Sequence, residues 1–254
     1  MESKKIVVNA KEFLKTLKRT VIATKDARTT VLRGVHVIVG QDFLIIEGTD
    51  AASLEKNKIQ AEVDQKFVGR EIWIEYMFAK ELSKYVSKHG EKIVLMPQFN
   101  DALANDAIGT LTIVDGYGDV FVDKHPLDPS TKYPQLGRII PQEGAVKFTT
   151  TKKNLLPTLK NAYKLVKKEQ WNTVKMVIKQ GNVTLEADGQ EFLVNATNVS
   201  DKELSIYFNV SKLIKLISSN PMNESLEFSF QGKLRPILIK RKEENLSILT
   251  PIRK

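Results

Sequence analysis

The residue types that most often carry chemistry are sparse in this chain. Its 254 residues include three histidines, His36, His89 and His125, and no cysteine. The histidines are scattered and have no metal-ligand spacing. His36 falls inside an alternating strand pattern and reads as a structural or surface residue. Without cysteine there is no disulfide and no thiolate metal site, which fits a reducing cytosol. The stretch DGYGDVFVD sets Asp115, Asp119 and Asp123 four apart. Three carboxylates at that interval could attract a cation, but a calcium loop spaces them differently. Gly116 and Gly118 point instead to a hairpin turn. The hydroxyls of RTT and TTTKK have no base beside them. Neither G-x-x-x-x-G-K-[ST] nor H-E-x-x-H is present. A nuclease or transferase is therefore disfavoured. The expectation is a protein that is not an enzyme and needs no cofactor or metal.

Lysine is the abundant reactive type. The formal net charge is +9 and the pI about 9.4. Such a balance favours an anionic partner, most simply nucleic acid held through its phosphates. A solvated, lysine-rich surface gives the same count.

The elements that would carry these lysines occur twice. L-x-T-L-K stands at Leu14–Lys18 and again at Leu156–Lys160, each inside a helical pattern. Two alternating runs follow in each half, VHVIV with FLIIEG and VKMVI with VTLEA, separated by the turn sequences GQD and QGN. A second short helix comes next, FAKELSKYVSK and NVSKLIKLISS, and then closing strands. The chain thus reads as two copies of helix, strands, helix, strands. The Pro- and Gly-rich HPLDPSTKYPQLGRIIPQEG joins them.

At 3.6 residues per turn, Phe13, Leu14, Leu17 and Val21 share a face, and Lys11, Lys15 and Lys18 share another. Leu155, Leu159, Ala162 and Val166 align beside Lys160, Lys164 and Lys167. Phe78, Leu82, Tyr85 and Val86 align opposite Lys80, Lys84 and Lys88. Leu213, Leu216 and Ile217 align opposite Lys212 and Lys215. Four basic faces on matching elements suggest one helical surface turned toward an anion, with Arg19 added to the first helix. Glu12, Glu75 and Glu81 interrupt it.

Composition is that of a globular protein, 42% apolar and 27% charged. No run approaches 18 apolar residues, and MESKKIVVNAKEF lacks a signal-peptide core. One feature stands out at the other end. LSILTPIRK stays apolar and carries a proline where chain ends are usually loose and polar.

Five motifs in order resemble one family, the bacterial sliding clamp, the β subunit of the replicative DNA polymerase. VLRGVHV is similar to the motif around L-N-G-V. EGTDAASLEK stands where the family has A-T-D-G-H-R-L-A. KYPQLGRIIP is similar to F-P-D-Y-R-R-V-L-P, YFNVSKLIKLISS to F-N-V-S-Y-L-L-D-V-L, and ILTPIRK to V-M-P-M-R-L. The likeness runs over nearly the whole chain, onto the clamp's second and third domains.

The resemblance implies an α+β fold of two tandem clamp domains, residues 1–141 and 142–254. Each would carry antiparallel sheets outside and two helices lining an inner face. It implies a ring that encircles duplex DNA without sequence specificity. It also implies a pocket between the two domains for short peptides from polymerase and clamp loader, with the tail as one wall. By position that pocket would take Leu32, Thr49, Leu54, Pro134, Arg138 and Ile139 from the first half. Leu234, Pro236, Ile248, Thr250, Pro251, Ile252 and Arg253 would come from the second. With the resemblance set aside, Ile248 and Ile252 read as core strand residues and Pro251 as the end of a strand. Ala51, Ala52 and Ser53 replace the family's Gly-His-Arg, so a basic rim has become small and neutral. No counterpart of the clamp's first domain is evident. Two domains per chain need three copies to make the family's six-domain ring, which points to a homotrimer. A cytoplasmic, nucleoid-associated protein is expected, and the two-domain size suggests a phage or other mobile element. The rival reading is a clamp-like decoy or regulator that binds host replication proteins without forming a ring.

Overall fold

The computed structural model describes residues 5–85, 90–99, 108–124, 132–241 and 244–253. They form two compact units, 1–135 and 136–254. The joint falls six residues before the boundary expected from sequence, so Arg138 and Ile139 belong to the second unit. Leu136 opens that unit and is buried.

The first unit runs β1 (Ile6–Asn9), α1 (Ala10–Thr24), β2 (Gly34–Val39), β3 (Phe43–Thr49), β4 (Ser53–Val63), β5 (Glu71–Glu75), α2 (Tyr76–Leu82), β6 (Lys92–Phe99), β7 (Ile108–Asp115) and β8 (Val120–Asp123). Its strands are antiparallel in the order β8-β7-β6-β1-β4-β3-β2-β5. β4 serves two neighbours, facing β3 over Leu54–Gln60 and β1 over Ala61–Val63.

The second unit repeats the plan. It runs β9 (Val146–Thr151), α3 (Lys152–Val166), β10 (Thr173–Lys179), β11 (Asn182–Ala187), β12 (Gln190–Val194), β13 (Leu204–Asn209), α4 (Val210–Ser218), β14 (Ser225–Phe230), β15 (Ile237–Lys240) and β16 (Leu246–Leu249). Here two sheets form, β9-β14-β15-β16 and β12-β11-β10-β13. The β10–β11 hairpin turns on Gln180 and Gly181, both at positive φ (50° and 74°), the geometry a two-residue turn needs.

Each helix starts where a strand ends, and a side chain at the junction stops the ladder and starts the helix. Asn9 accepts the Glu12 N–H at 3.0 Å, and Thr151 accepts that of Asn154 at 3.3 Å. Glu75 accepts from Met77 and Phe78, and Asn209 from Lys212 at 2.9 Å. Such caps satisfy the amides that the first turn leaves free. α1 then lies against β3. A Cβ at Gly48 would sit 2.5 Å from Thr24 Cγ2, so only glycine admits the helix at this distance.

The core of the first unit gathers Phe13, Leu14 and Leu17 of α1 with Val35, Val37, Leu44, Ile46 and Ile74. In the second, Phe148 stacks on Phe228 at 4.6 Å and on Phe230 at 5.9 Å, all three buried. Among the described residues no helix is long and apolar enough to cross a membrane.

Candidate nucleic-acid and peptide interfaces

The lysine faces expected on α1 and α3 are present. Both helices span 15 residues. Phe13, Leu14, Leu17 and Val21 are buried while Lys11, Lys15 and Lys18 are exposed. On α3 Leu155, Leu159, Ala162 and Val166 are buried, and Lys160, Lys164 and Lys167 are exposed. Within each unit the paired helix lies alongside, α2 on α1 and α4 on α3.

Arg19 departs from the expectation. It is 6% exposed, buried along α1 with Thr16, Thr20 and Thr24. These threonines are short, which leaves room for a long side chain to fold inward.

α2 also departs. Its buried face is Tyr76, Ala79 and Leu82, not Phe78, Leu82 and Tyr85, and Tyr85 is 40% exposed. The Glu75 cap fixes the phase, and after Leu82 the chain tightens into a 3-10 turn over Ser83–Tyr85. Lys80 is half-buried with its ammonium 5.7 Å from the Tyr76 ring, and Lys84 is paired with Glu81 at 2.6 Å. Val86 and Lys88 lie outside the described residues. On α4, Lys212 and Lys215 are half-buried beside the buried Leu213, Leu216 and Ile217.

The residues expected at the peptide site are divided between the two units. In the second, three segments leave one end of the β9-β14-β15-β16 sheet. The register pairs Val146 with Phe230 and Ile237 with Leu249. The segment before β9, the loop between β14 and β15, and the tail after β16 therefore emerge together. They bring Arg138 and Ile139, then Leu234 and Pro236, then Thr250, Pro251, Ile252 and Arg253. Ile139 is 54% and Leu234 52% exposed, unusual for side chains of that size.

The tail is tied down, since the Ile252 N–H donates to the Tyr207 carbonyl at 2.8 Å. Gly144 holds the first segment. Its N–H donates to Ser229 Oγ at 2.7 Å, and a Cβ there would lie 1.8 Å from the Phe230 carbonyl oxygen. Beside it Glu143 bonds Lys147 and Lys240, which pull its carboxyl down to about 2. Ile248 is a buried β16 residue that supports this end from beneath.

In the first unit Thr49 and Leu54 face each other across the β3–β4 turn, both buried. Asp50 Oδ1 accepts the N–H groups of Ala52 and Ser53 and the Ser53 hydroxyl. Ala51 holds φ at +71°, where the family motif has glycine. Leu32 ends a short 3-10 turn ahead of β2 and is half-buried, and Pro134 is exposed.

The sequence reading missed what holds Pro134. The preceding Tyr133 ring stacks on His36 at 4.2 Å, and its hydroxyl lies by the Thr49 backbone. His36 Nδ1 contacts Glu47 Oε1 and Nε2 contacts Glu71 Oε2, both at 3.1 Å. Burial works against the charged imidazole, yet the two carboxylates outweigh it and raise its pKa above 6.5. Glu71 is lowered by the same hydrogen bond, and burial raises the Tyr133 phenol. His36 and Tyr133 stand 97 positions apart, so no local pattern could have joined them.

The acidic run is a turn. Asp115 Oδ1 accepts the N–H groups of Tyr117 and Asp119, both at 2.9 Å, between β7 and β8. Asp123 Oδ2 accepts the Glu75 N–H at 3.0 Å.

Residues 137–250 match the family profile described as DNA polymerase III beta subunit, C-terminal domain. The solved DNA polymerase sliding clamp from Bacillus subtilis superposes on the chain with a TM-score of 0.84 at 21% identity. It covers 100% of this chain and 65% of that one.

The chain has the bacterial sliding-clamp fold.

The Streptococcus pneumoniae DNA polymerase III beta chain gives a TM-score of 0.80 at 20% identity, over 100% of this chain and 66% of that one. The Thermotoga maritima beta subunit gives 0.80 at 18%, over 100% and 67%. The chain thus spans about two thirds of the length of the sliding clamps it resembles. The resemblance read from its motifs is borne out. A comparison with curated protein sequences returns no match.

Proposed function

We propose that the chain is a DNA sliding clamp, which holds duplex DNA without reading bases and tethers a polymerase beside it. One observation carries the reading. α1 and α3, equivalent helices of the two units, each bury an apolar face and expose lysines, Lys11, Lys15 and Lys18 on one and Lys160 and Lys164 on the other with Lys167 at its end, and Lys18 and Lys160 hold the same position in each. Ammonium groups on long stems meet phosphates loosely and through water, which lets a protein stay on DNA and still slide. Nothing in this role requires a reaction, a cofactor or a metal.

The ring is proposed as a homotrimer, three copies of these two units supplying six clamp domains. Two strand edges that are open among the described residues support it. β8 ends the first unit's sheet and β12 ends a sheet of the second. Val120 is 60%, Val122 40% and Leu193 67% exposed on them. Unpaired edges with apolar side chains invite another strand. Pairing β8 of one copy with β12 of the next is a head-to-tail contact, the kind that closes rings.

The apolar end of the second unit is proposed to bind short peptides with apolar anchors from a polymerase and a clamp loader, and in the first unit the Thr49–Leu54 turn and Pro134 are proposed as peptide-binding residues in their own right. Tethering through such a peptide raises the polymerase's effective concentration at the primer end. The site of action would be the cytoplasm, at the nucleoid.

The test is charge reversal. With Lys15, Lys18, Lys160 and Lys164 changed to Glu, retention on primed circular DNA should weaken and its salt dependence flatten, while oligomeric state stays the same. Unchanged retention would mean the lysines are only solvated.

A further inference from the structure

We propose that His36 is a positioning residue for the first unit's peptide-binding residues, holding Tyr133 and through it Pro134 beside the Thr49–Leu54 turn. The proposal rests on the peptide-binding reading above. His36 is 4% exposed and stands between Val35 and Val37 on β2. A buried imidazole is retained only if its nitrogens are satisfied, and here both are, by Glu47 of β3 and Glu71 of β5. Lys56 of β4 lies 3.6 Å from Glu47 Oε2, and Trp73 of β5 is the opposite residue in the ladder. Tyr133 closes the fourth side, its ring 20° from parallel to the imidazole.

The arrangement fixes a ring that belongs to the connecting segment, not to the sheet. Residues 132–135 carry no strand or helix, and Tyr133 is the one of them half-buried while its neighbours are exposed. The stack is thus the anchor of this segment among the described residues. Pro134 follows immediately, and its fixed φ transmits the placement. Thr49, which the Tyr133 hydroxyl approaches, opens the turn on the opposite side.

Protonation is built into the anchor. A cationic imidazole donates to both carboxylates at once. A neutral one donates to a single carboxylate and presents a lone pair to the other, and Glu71, with a 60% exposed side chain, is the partner free to leave. Peptide affinity should therefore fall as the pH rises through the titration of His36.

The experiment compares the full chain with His36→Gln, Tyr133→Ala and Tyr133→Phe, using a fluorescent peptide with Leu and Phe anchors and amide hydrogen exchange. His36→Gln and Tyr133→Ala should weaken the peptide about three- to tenfold, because the binding-ready arrangement is less populated. Exchange should rise at residues 132–135 and 49–53 and stay unchanged in β6 and β7, while Tyr133→Phe should retain affinity. Wild-type affinity should drop as pH rises through the raised pKa of His36, and His36→Gln should be flat across that range. Unchanged exchange at 132–135, or raised exchange with unchanged affinity, overturns the proposal. A wild-type chain that binds no such peptide overturns the peptide-binding reading itself and the proposal with it.

Discussion

The two units share eight strands and two helices in the same order, yet they turn the corner of the sheet differently. In the first, β4 is 11 residues long and pairs β3 with one end and β1 with the other. In the second, the equivalent β12 has five residues, and β9 reaches past it through a Thr149–Thr197 bridge of two 2.8 Å hydrogen bonds. The helices do not register this change. α1 and α3 keep the same length, the same start directly after a strand, and an exposed lysine at the same position, Lys18 and Lys160. Their placement depends on caps and apolar faces, which both units have, and not on how the sheet closes.

The units also differ at the proposed peptide site. The second presents apolar side chains on a sheet end, Ile139 and Leu234. The first presents a small neutral turn and a proline steadied by buried polar groups. Removing apolar packing should therefore cost most in the second unit, while pH should act on the first.

The largest effect expected is in the second unit's core. Phe148→Ala should lose about 3–5 kcal/mol, read as urea unfolding followed through Trp171, with the Trp73 signal of the first unit less affected. A loss below about 1 kcal/mol would mean that the stacked phenylalanines are not its core.

Next is the tail. Deleting Pro251–Lys254 should weaken a clamp-binding peptide ten- to a hundredfold, because an apolar side chain such as Ile252, half-buried in the free chain, contributes roughly 1.5–3 kcal/mol when a peptide buries it fully. The melting temperature should hold, since Ile248 and Leu249 remain in β16. A collapse in melting temperature would make the tail part of the core.

The basic faces can be compared directly. Lys160→Glu with Lys164→Glu should reduce DNA retention more than Lys84→Glu, because Lys84 is already paired with Glu81. Each phosphate that is no longer neutralised should flatten the log–log salt slope by about 0.9. Equal effects would remove the distinction between α3 and the end of α2.

A smaller effect is expected from pH. The folded pKa of His36 is raised, so its stabilisation is complete below its unfolded value, near 6.5, and fades as pH rises through the folded value. The unfolding midpoint reported by Trp73 should fall over that interval in the wild type and not in His36→Gln.

Smallest is Ala51→Gly. Relieving a side chain at φ +71° should stabilise the first unit by about 0.5–1 kcal/mol, part of the gain being offset by glycine's entropy. A destabilised variant would show that the turn is not strained.

Much of this was legible in the sequence because it is local. The repeat, the hairpin turns and the faces of α1 and α3 follow from period and spacing over a dozen residues. α2 was not, because Tyr76, Met77 and Phe78 are three apolar residues in a row. Either phase gives an apolar stripe, and the Glu75 cap decides between them. Arg19 was misread for a related reason, as periodicity places a residue on a helix but not the depth of the surface beneath it. Of the proposed peptide site, the second unit's residues lie within segments whose motifs could be read. The His36–Tyr133 stack joins residues far apart in sequence and exists only in the fold.

The ring is tested most directly by the mass of the particle in solution. Light scattering on a sizing column at micromolar concentration should give about three times the 28.7 kDa of the chain. A stable particle of one chain mass would contradict the ring and favour a clamp-like decoy.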